Sequence, residues 1–453
     1  MIATKIQNRL HQIPQAWRSS SLSLAIAYNL GAELAPHCSA GASPSLPMNL
    51  QDRFVSEKLK LPQGKPAGFT ISRDMVCGDQ PEVSFIQNKW RSNMCALRSI
   101  RLIICLLALL TLQIETRAVE KLGPAPDDSF SIVLIPDTQA YKGAGTKSQP
   151  DSREQITNKI FQDHTEWIAE NIDRQNIVFV SHVGDIVDKN VDEQWEVAQA
   201  CMNKLHGKIP YGISVGNHDM TSSGDSSLFQ KYFPQSRFEH FDWYAGSYAG
   251  SPMGKHISGN NANSCQLFSV GDIDFIFLHL ECNAPDDVLG WANDLLKRYA
   301  DRTAFITSHM GWGPRVIPKD NDEYITGEKG RMTWLKIHGK RGNTPQQMWE
   351  KCYRLHANLV AVFSGDQSRT QAFQAATVGD HGNMVHEFMQ DYGSGWLRMY
   401  RFTPLKSRVR GEAITFNPRT EELCEGVSLV PARQGHQFEF EFSRQLQNVA
   451  TAK

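Results

Sequence analysis

Three apolar runs in this chain stop abruptly on the same class of polar residues, and that repeated layout limits the architectures open to it. The first is Ile132-Val133-Leu134-Ile135-Pro136-Asp137-Thr138-Gln139, and the second is Ile177-Val178-Phe179-Val180-Ser181-His182-Val183-Gly184-Asp185. The third, residues 211–215, runs into Gly216-Asn217-His218-Asp219. Continuous apolar runs of this length suit strands covered on both faces, as in sheets flanked by helices. Between the first two runs, Ile156, Ile160, Phe161, His164, Trp167, Ile168 and Ile172 recur at helical spacing and form one apolar stripe. Strand, helix, strand makes a βαβ unit with a right-handed crossover. Trp195, Ala198, Met202 and Leu205 predict a second helix before the third strand. Ligands of such sheets collect beyond the carboxyl ends of the strands, where Asp137, Gln139, Asp185, Asn217 and His218 all fall.

Further along, strand signals at residues 265–270, 273–279, 303–308 and 359–364 alternate with helical patterns at 288–299 and 345–356. Two of these strands end on His309 and on Gly365-Asp366-Gln367-Ser368. The tail turns to strands again at 385–389, 396–402 and 437–442, expected to complete a sheet packed on the first. Residues 221–263 form a long insertion with an aromatic cluster from Phe238 to Tyr244, which either lines a cleft or staples the loop to the domain. Arg315, Lys329 and Arg331 in a second loop read as a solvated surface rather than a phosphate grip.

The first 93 residues mix Ser, Pro, Gly and scattered charge without periodicity, as expected of a disordered extension or of a gene start placed too far upstream. Next come Arg98 and Arg101, an apolar run over 102–112 and then Thr116-Arg117-Ala118. Basic, apolar, small is the order of a secretory signal peptide, and the run falls short of the ~20 residues that span a bilayer. Residues 94–118 are therefore expected to be a signal peptide starting at Met94, with export to the periplasm or outside and no stable membrane insertion. The catalytic domain is expected over 126–445, with 384–445 as its completing strands.

Composition narrows the chemistry. A net charge of -1 across 453 residues supplies no basic face for a nucleic-acid scaffold. None of the nine cysteines has Cys-x-x-Cys spacing, which argues against a zinc finger or a thioredoxin-like site. Five of them, Cys201, Cys265, Cys282, Cys352 and Cys424, fall in the expected folded part, so at least one is a free thiol.

Carboxylate, amide and imidazole groups delivered by separate strand ends suit a pair of divalent ions sharing a bridging carboxylate. The order Asp-x-Gln, Gly-Asp, Gly-Asn-His-Asp, His, Gly-Asp-Gln-Ser resembles the calcineurin-like metallophosphoesterase family over about residues 130–402. It looks closest to an exported bacterial branch opening with Pro-Asp-Thr-Gln, and Gln390-Asp391-Tyr392-Gly393-Ser394-Gly395-Trp396 resembles a late segment of that branch. The resemblance implies an α/β fold, a four-layer α/β/β/α sandwich of two mixed sheets flanked by helices. It implies two divalent metal ions, the first on Asp137 and Gln139, the second on Asn217 and His309, with Asp185 bridging. It further implies in-line attack by a metal-bridging hydroxide on a phosphate ester, a small molecule or nucleotide, with His218 assisting the leaving oxygen.

One motif departs from the family, whose Gly-His-x-His here reads Gly-Asp-Gln-Ser. Asp366 can replace an imidazole on the second metal and leans the site towards Mn, Mg or Ca, whereas Ser368 is a poor ligand for the first. The alternative reading is a binding protein that keeps the fold with a weak or inactive centre.

Overall fold

The computed structural model describes residues 119–311, 334–366 and 371–444. The expected signal peptide and the residues before it lie outside the described residues, as do Arg315, Lys329, Arg331, Gln367 and Ser368. Among the described residues, no helix is long and apolar enough to cross a membrane.

The first apolar run is β1 (Phe130–Ile135), buried along its whole length. Its side chains alternate between two cores: Ile132 and Leu134 point into one, Val133 and Ile135 into the other. Helix α1 (Lys159–Glu170) follows, capped by the Asn158 side chain, which accepts from Phe161 N at 3.1 Å. Its buried stripe is Phe161, His164, Thr165, Trp167 and Ile168, close to the expected periodicity. Then come β2 (Ile177–His182), α2 (Asp192–Met202) and β3 (Tyr211–Ile213), with β1, β2 and β3 parallel neighbours.

The insertion at 221–263 has structure of its own: a short helix α3 (Ser227–Tyr232) and strand β4 (Tyr244–Ser247). Its aromatic cluster staples it to the domain. Phe238 is buried 5.2 Å, centroid to centroid, from Tyr211 of β3 and stacks on Tyr244. The next elements are β5 (Ser264–Val270), β6 (Ile273–Leu280), α4 (Asp286–Arg298), β7 (Thr303–Ser308), α5 (Pro345–Lys351) and β8 (Leu359–Ser364). The chain finishes with β9 (Ala372–Val378), β10 (Met384–Gln390), β11 (Leu397–Pro404), β12 (Arg408–Phe416) and β13 (Gln437–Ser443).

Among the described residues these strands make two mixed sheets, one of six strands in the order β13-β12-β11-β1-β2-β3 and one of seven in the order β4-β5-β6-β7-β8-β10-β9. The sheets face each other across an aromatic core that includes Phe179, Phe275, Phe277, Phe305, Phe363, Phe388, Tyr400 and Phe402. Helices α1 and α2 cover the outer face of the first sheet, where Phe161, Ile168 and Trp195 join Val133 and Ile135. Helices α4 and α5 cover the second through Val288, Leu289, Leu296 and Met348. The architecture is the expected four-layer α/β/β/α sandwich.

The tail divides differently from the simple expectation. Strands β11 to β13 extend the first sheet, but β10 pairs in parallel with β8 and so belongs to the second. All five cysteines within the described residues are buried free thiols.

Candidate metal centre

Parallel strands β1 to β3 of one sheet and parallel strands β7 and β8 of the other hand the residues after them to a common point. Asp137 follows β1, Asp185 follows β2 and Asn217 follows β3, whereas His309 and Asp366 follow the neighbouring strands β7 and β8. Ligand atoms of Asp137, Asp185 and His309, all buried, lie within 4.8 Å of one another.

Asp185 is the centre of the cluster. It accepts hydrogen bonds from the His218 backbone N–H at 2.8 Å and from Gln139 Nε2 at 2.8 Å, and His309 Nε2 sits 3.2 Å from its Oδ1. Burial pushes its carboxyl up, yet the His309 imidazole, assisted by His218, overrides this and holds it down at about 2. Asp185 and Asp366 have φ of +49° and +63°, a left-handed conformation unfavourable to a side chain and typical of functional sites. Gly216 explains how close the third strand end comes: a Cβ there would fall 2.2 Å from both N and Oδ1 of Asp185.

The imidazoles are oriented by backbone carbonyls. His309 Nδ1 donates to Val183 O at 3.0 Å, which leaves Nε2 facing Asp185 and, at 3.6 Å, Asp366 Oδ1. The neighbouring acids raise its affinity for a proton well above the usual range, outweighing the effect of burial. His218 Nδ1 donates to Asp188 O at 2.8 Å, and its Nε2 is 3.9 Å from Asp185 Oδ2 on a side chain 30% exposed.

Three groups that no sequence pattern marks as part of the site, Asp391, Asp219 and Lys336, belong to the same place. Asp391, just after β10, has its buried carboxyl pushed up to about 7 by burial, with His309 and Asp137 pulling it down and Asp185 and Asp366 pushing it up. Asp137 is raised well above the ordinary carboxylate range by burial and then by Asp391. Asp219 ties two of the strand ends together, accepting from Ile186 N (2.8 Å), Val187 N (3.1 Å) and Gly216 N (2.8 Å). Lys336 donates to Asn217 Oδ1 (2.9 Å) and Asp366 Oδ1 (3.1 Å), and Asn283 holds the Lys336 backbone. Asp391 lies in a stretch singled out by resemblance; Lys336 had no such signal. His182 and His279 are packing groups instead, His182 meeting Thr138 Oγ1 and His279 held between Ser181 Oγ and Gln266 Oε1.

The donor set fits a divalent cation. Four carboxylates, Asp137, Asp185, Asp366 and Asp391, gather around one imidazole in a buried space, a concentration of negative charge that calls for a counter-ion. Among the described residues, buried Asp137 Oδ1 has no hydrogen-bond partner, and His309 Nε2 has only carboxylates beside it, Asp185 at 3.2 Å and Asp366 at 3.6 Å, a setting that fits a metal ion.

Residues 130–342 match the family model described as calcineurin-like phosphoesterase. Uncharacterized protein YvnB of Bacillus subtilis (strain 168) is 29% identical over 312 residues, which are 66% of this chain and 21% of that protein, so the chain spans about a fifth of its length. Among solved structures, a 5'-nucleotidase precursor from Thermus thermophilus is similar with a TM-score of 0.34 and 10% identity over 70% of this chain and 54% of that one. The calcineurin-like phosphoesterase YfkN from Bacillus subtilis gives 0.32 and 11%, covering 70% and 90%. Family match, four-layer sandwich and a strand-end Asp/Asp/His cluster agree, and the chain carries a calcineurin-like phosphoesterase domain, a fold of metal-dependent phosphoester hydrolases.

Proposed function

We propose that this domain hydrolyses a small-molecule phosphate ester, with nucleotides among the candidates, at a divalent-cation centre built on Asp185. The observation that carries the reading is the buried convergence of Asp137, Asp185 and His309, with Asp137 Oδ1 lacking a hydrogen-bond partner among the described residues. Asp137, Gln139 and Asp185 would hold one ion, and Asp185, Asn217, His309 and Asp366 a second. Asp391 faces Asp137 and could take the place left by the family's second histidine. Bound divalent ions lower the pKa of coordinated water and neutralise charge on phosphoryl oxygens. The oxygen-rich donors favour Mn, Mg or Ca.

The chain's own residues supply positioning and a proton. Gln139 and the His218 N–H fix the Asp185 carboxylate, and Val183 O fixes the His309 tautomer. His218, its Nδ1 anchored on Asp188 O, presents Nε2 on the Asp185 side of the site. As the imidazolium, with a proton on each nitrogen, it can hand the Nε2 proton to the leaving oxygen during in-line displacement and keep Nδ1–H on Asp188 O.

The test is release of phenolate from aryl phosphate mono- and diesters by metal-free protein, with and without Mn²⁺. We expect chelation to abolish turnover, Mn²⁺ to restore it, and Asp185→Ala and Asn217→Ala to lose it; intact activity in those variants would overturn the reading. A second reading, a phosphoesterase fold kept for binding, is favoured by Asp366 in place of histidine and by the Lys336 ammonium against it. It predicts no hydrolysis above the buffer rate and less than one ion per chain. Residues 94–118 are proposed as an export signal, for which a mature N-terminus near Val119 is the check.

A further inference from the structure

The oxygens assigned to the second ion already have a cation on them. Lys336 Nζ lies 2.9 Å from Asn217 Oδ1 and 3.1 Å from Asp366 Oδ1, and His309 Nε2 is 3.6 Å from that same Asp366 oxygen. Two of the four residues of the second ligand set thus touch one ammonium group, and a third, His309, lies against one of those two.

This placement is built into the fold. The short arm at 334–343 is clamped by the buried Asn283, whose Oδ1 accepts from Lys336 N (2.9 Å) and Ile337 N (3.2 Å). The same side chain donates through Nδ2 to Trp334 O (3.2 Å) and Asn343 O (2.9 Å). Two residues on, buried His338 places Nε2 3.5 Å from the Glu281 carboxylate. The Lys336 ammonium itself lies 5.2 Å from the Trp334 ring centroid. Asn283, with φ of +53°, holds the conformation that makes the clamp possible. The backbone of Lys336 is therefore fixed while its side chain, 31% exposed, has a way out to solvent.

We infer that Lys336 is the resident cation of the second ligand set, and that a divalent ion enters this set only by displacing its ammonium. The inference rests on the reading that Asp185, Asn217, His309 and Asp366 bind an ion. Two cations cannot both take contact positions on the same amide and carboxylate oxygens, so the lysine acts as a tethered competitor. Tethering makes its local concentration high, and competition weakens the apparent affinity of the second ion. Among the described residues, no lysine lies on the oxygens of the first set, Asp137, Gln139 and Asp185, so the ammonium competes for the second set alone. At low divalent supply the centre then carries one ion and one ammonium.

The experiment is calorimetric titration of metal-free full chain with Mn²⁺, with elemental analysis of the loaded protein, on wild type, Lys336→Met and Lys336→Arg. Wild type is expected to take one ion tightly and a second at least about tenfold more weakly than Lys336→Met does. Lys336→Arg, which keeps the charge, is expected to follow wild type, and Lys336→Gln repeats the neutral case should Lys336→Met lose its native near-ultraviolet circular dichroism. Second-ion affinities in wild type and the neutral variants within about twofold of each other would overturn the inference while leaving the ligand assignment standing. Absence of Mn²⁺ binding in every variant would overturn both, a result distinguishable from the first.

Discussion

At His218 the two ring nitrogens are separated in role by their neighbours, with Asp188 O at 2.8 Å and Lys147 Nζ at 3.4 Å both on the Nδ1 side. Nδ1 is committed to Asp188 O, so Nε2 alone can serve a substrate, and Asp185 Oδ2 at 3.9 Å is too far to tie it down with a hydrogen bond. His218→Asn is expected to lower kcat by about 10²–10⁴-fold, the usual contribution of a positioned acid, and to hurt aryl esters with poor leaving groups most. Mn²⁺ affinity should stay within about twofold, a comparison that separates proton transfer from ligation. Residues of this kind are readable from a chain because each terminates an apolar run: Asp137, Asp185, Asn217 and His309 could be picked out by position alone. Asp391 and Lys336 could not. Lys336 is 119 residues from Asn217 and 30 from Asp366 in the chain, and a lysine beside a tryptophan is an ordinary surface pattern in sequence.

Elements were legible in proportion to the contrast between their faces. Buried strands β1, β7 and β8 and the amphipathic helices α1 and α4 carry strong local patterns, and they formed close to the expected bounds. Strand β9 is half exposed at a sheet edge, and β12 is interrupted by Gly411, over which Phe440 packs so closely that a Cβ would meet its ring. Both gave weak signals for that reason. The arm at 334–343 has no regular pattern, because one buried asparagine organises it through four hydrogen bonds. Asn283→Gly keeps the left-handed backbone but removes those bonds, at about 1 kcal/mol each in net terms. The expected result is early proteolytic cleavage within 334–343 while the thermal transition of the sandwich moves little, followed by mass spectrometry of the fragments.

For the molecule as a whole, the sandwich confines titratable groups whose proton affinities depend on packing. His279, between Ser181 and Gln266 in the space between the sheets, is pushed down to about 3 by burial. Its unfolded value is about 6.5, so the unfolded chain binds the extra proton between those limits. Its contribution is fully present above pH ~6.5 and is lost as pH falls towards 3, at about 1.4 kcal/mol per pH unit. Asp219 and Asp391, both raised to about 7 mainly by burial, pull the other way over much of the same window. A subtraction therefore isolates the imidazole: the stability gap between wild type and His279→Gln, from urea midpoints, should narrow by about 1.4 kcal/mol for each pH unit of acidification below about 6. The sequence by itself determined the layer type and the strand ends, because apolar periodicity and its termination are local properties of a chain. Only the tertiary structure decided that β11 to β13 extend the first sheet, that Asp391 faces Asp137 and that an ammonium lies on Asp366. Those depend on which distant segments pack side by side, and the field at a buried carboxylate is set by whatever charge the fold brings within a few ångströms.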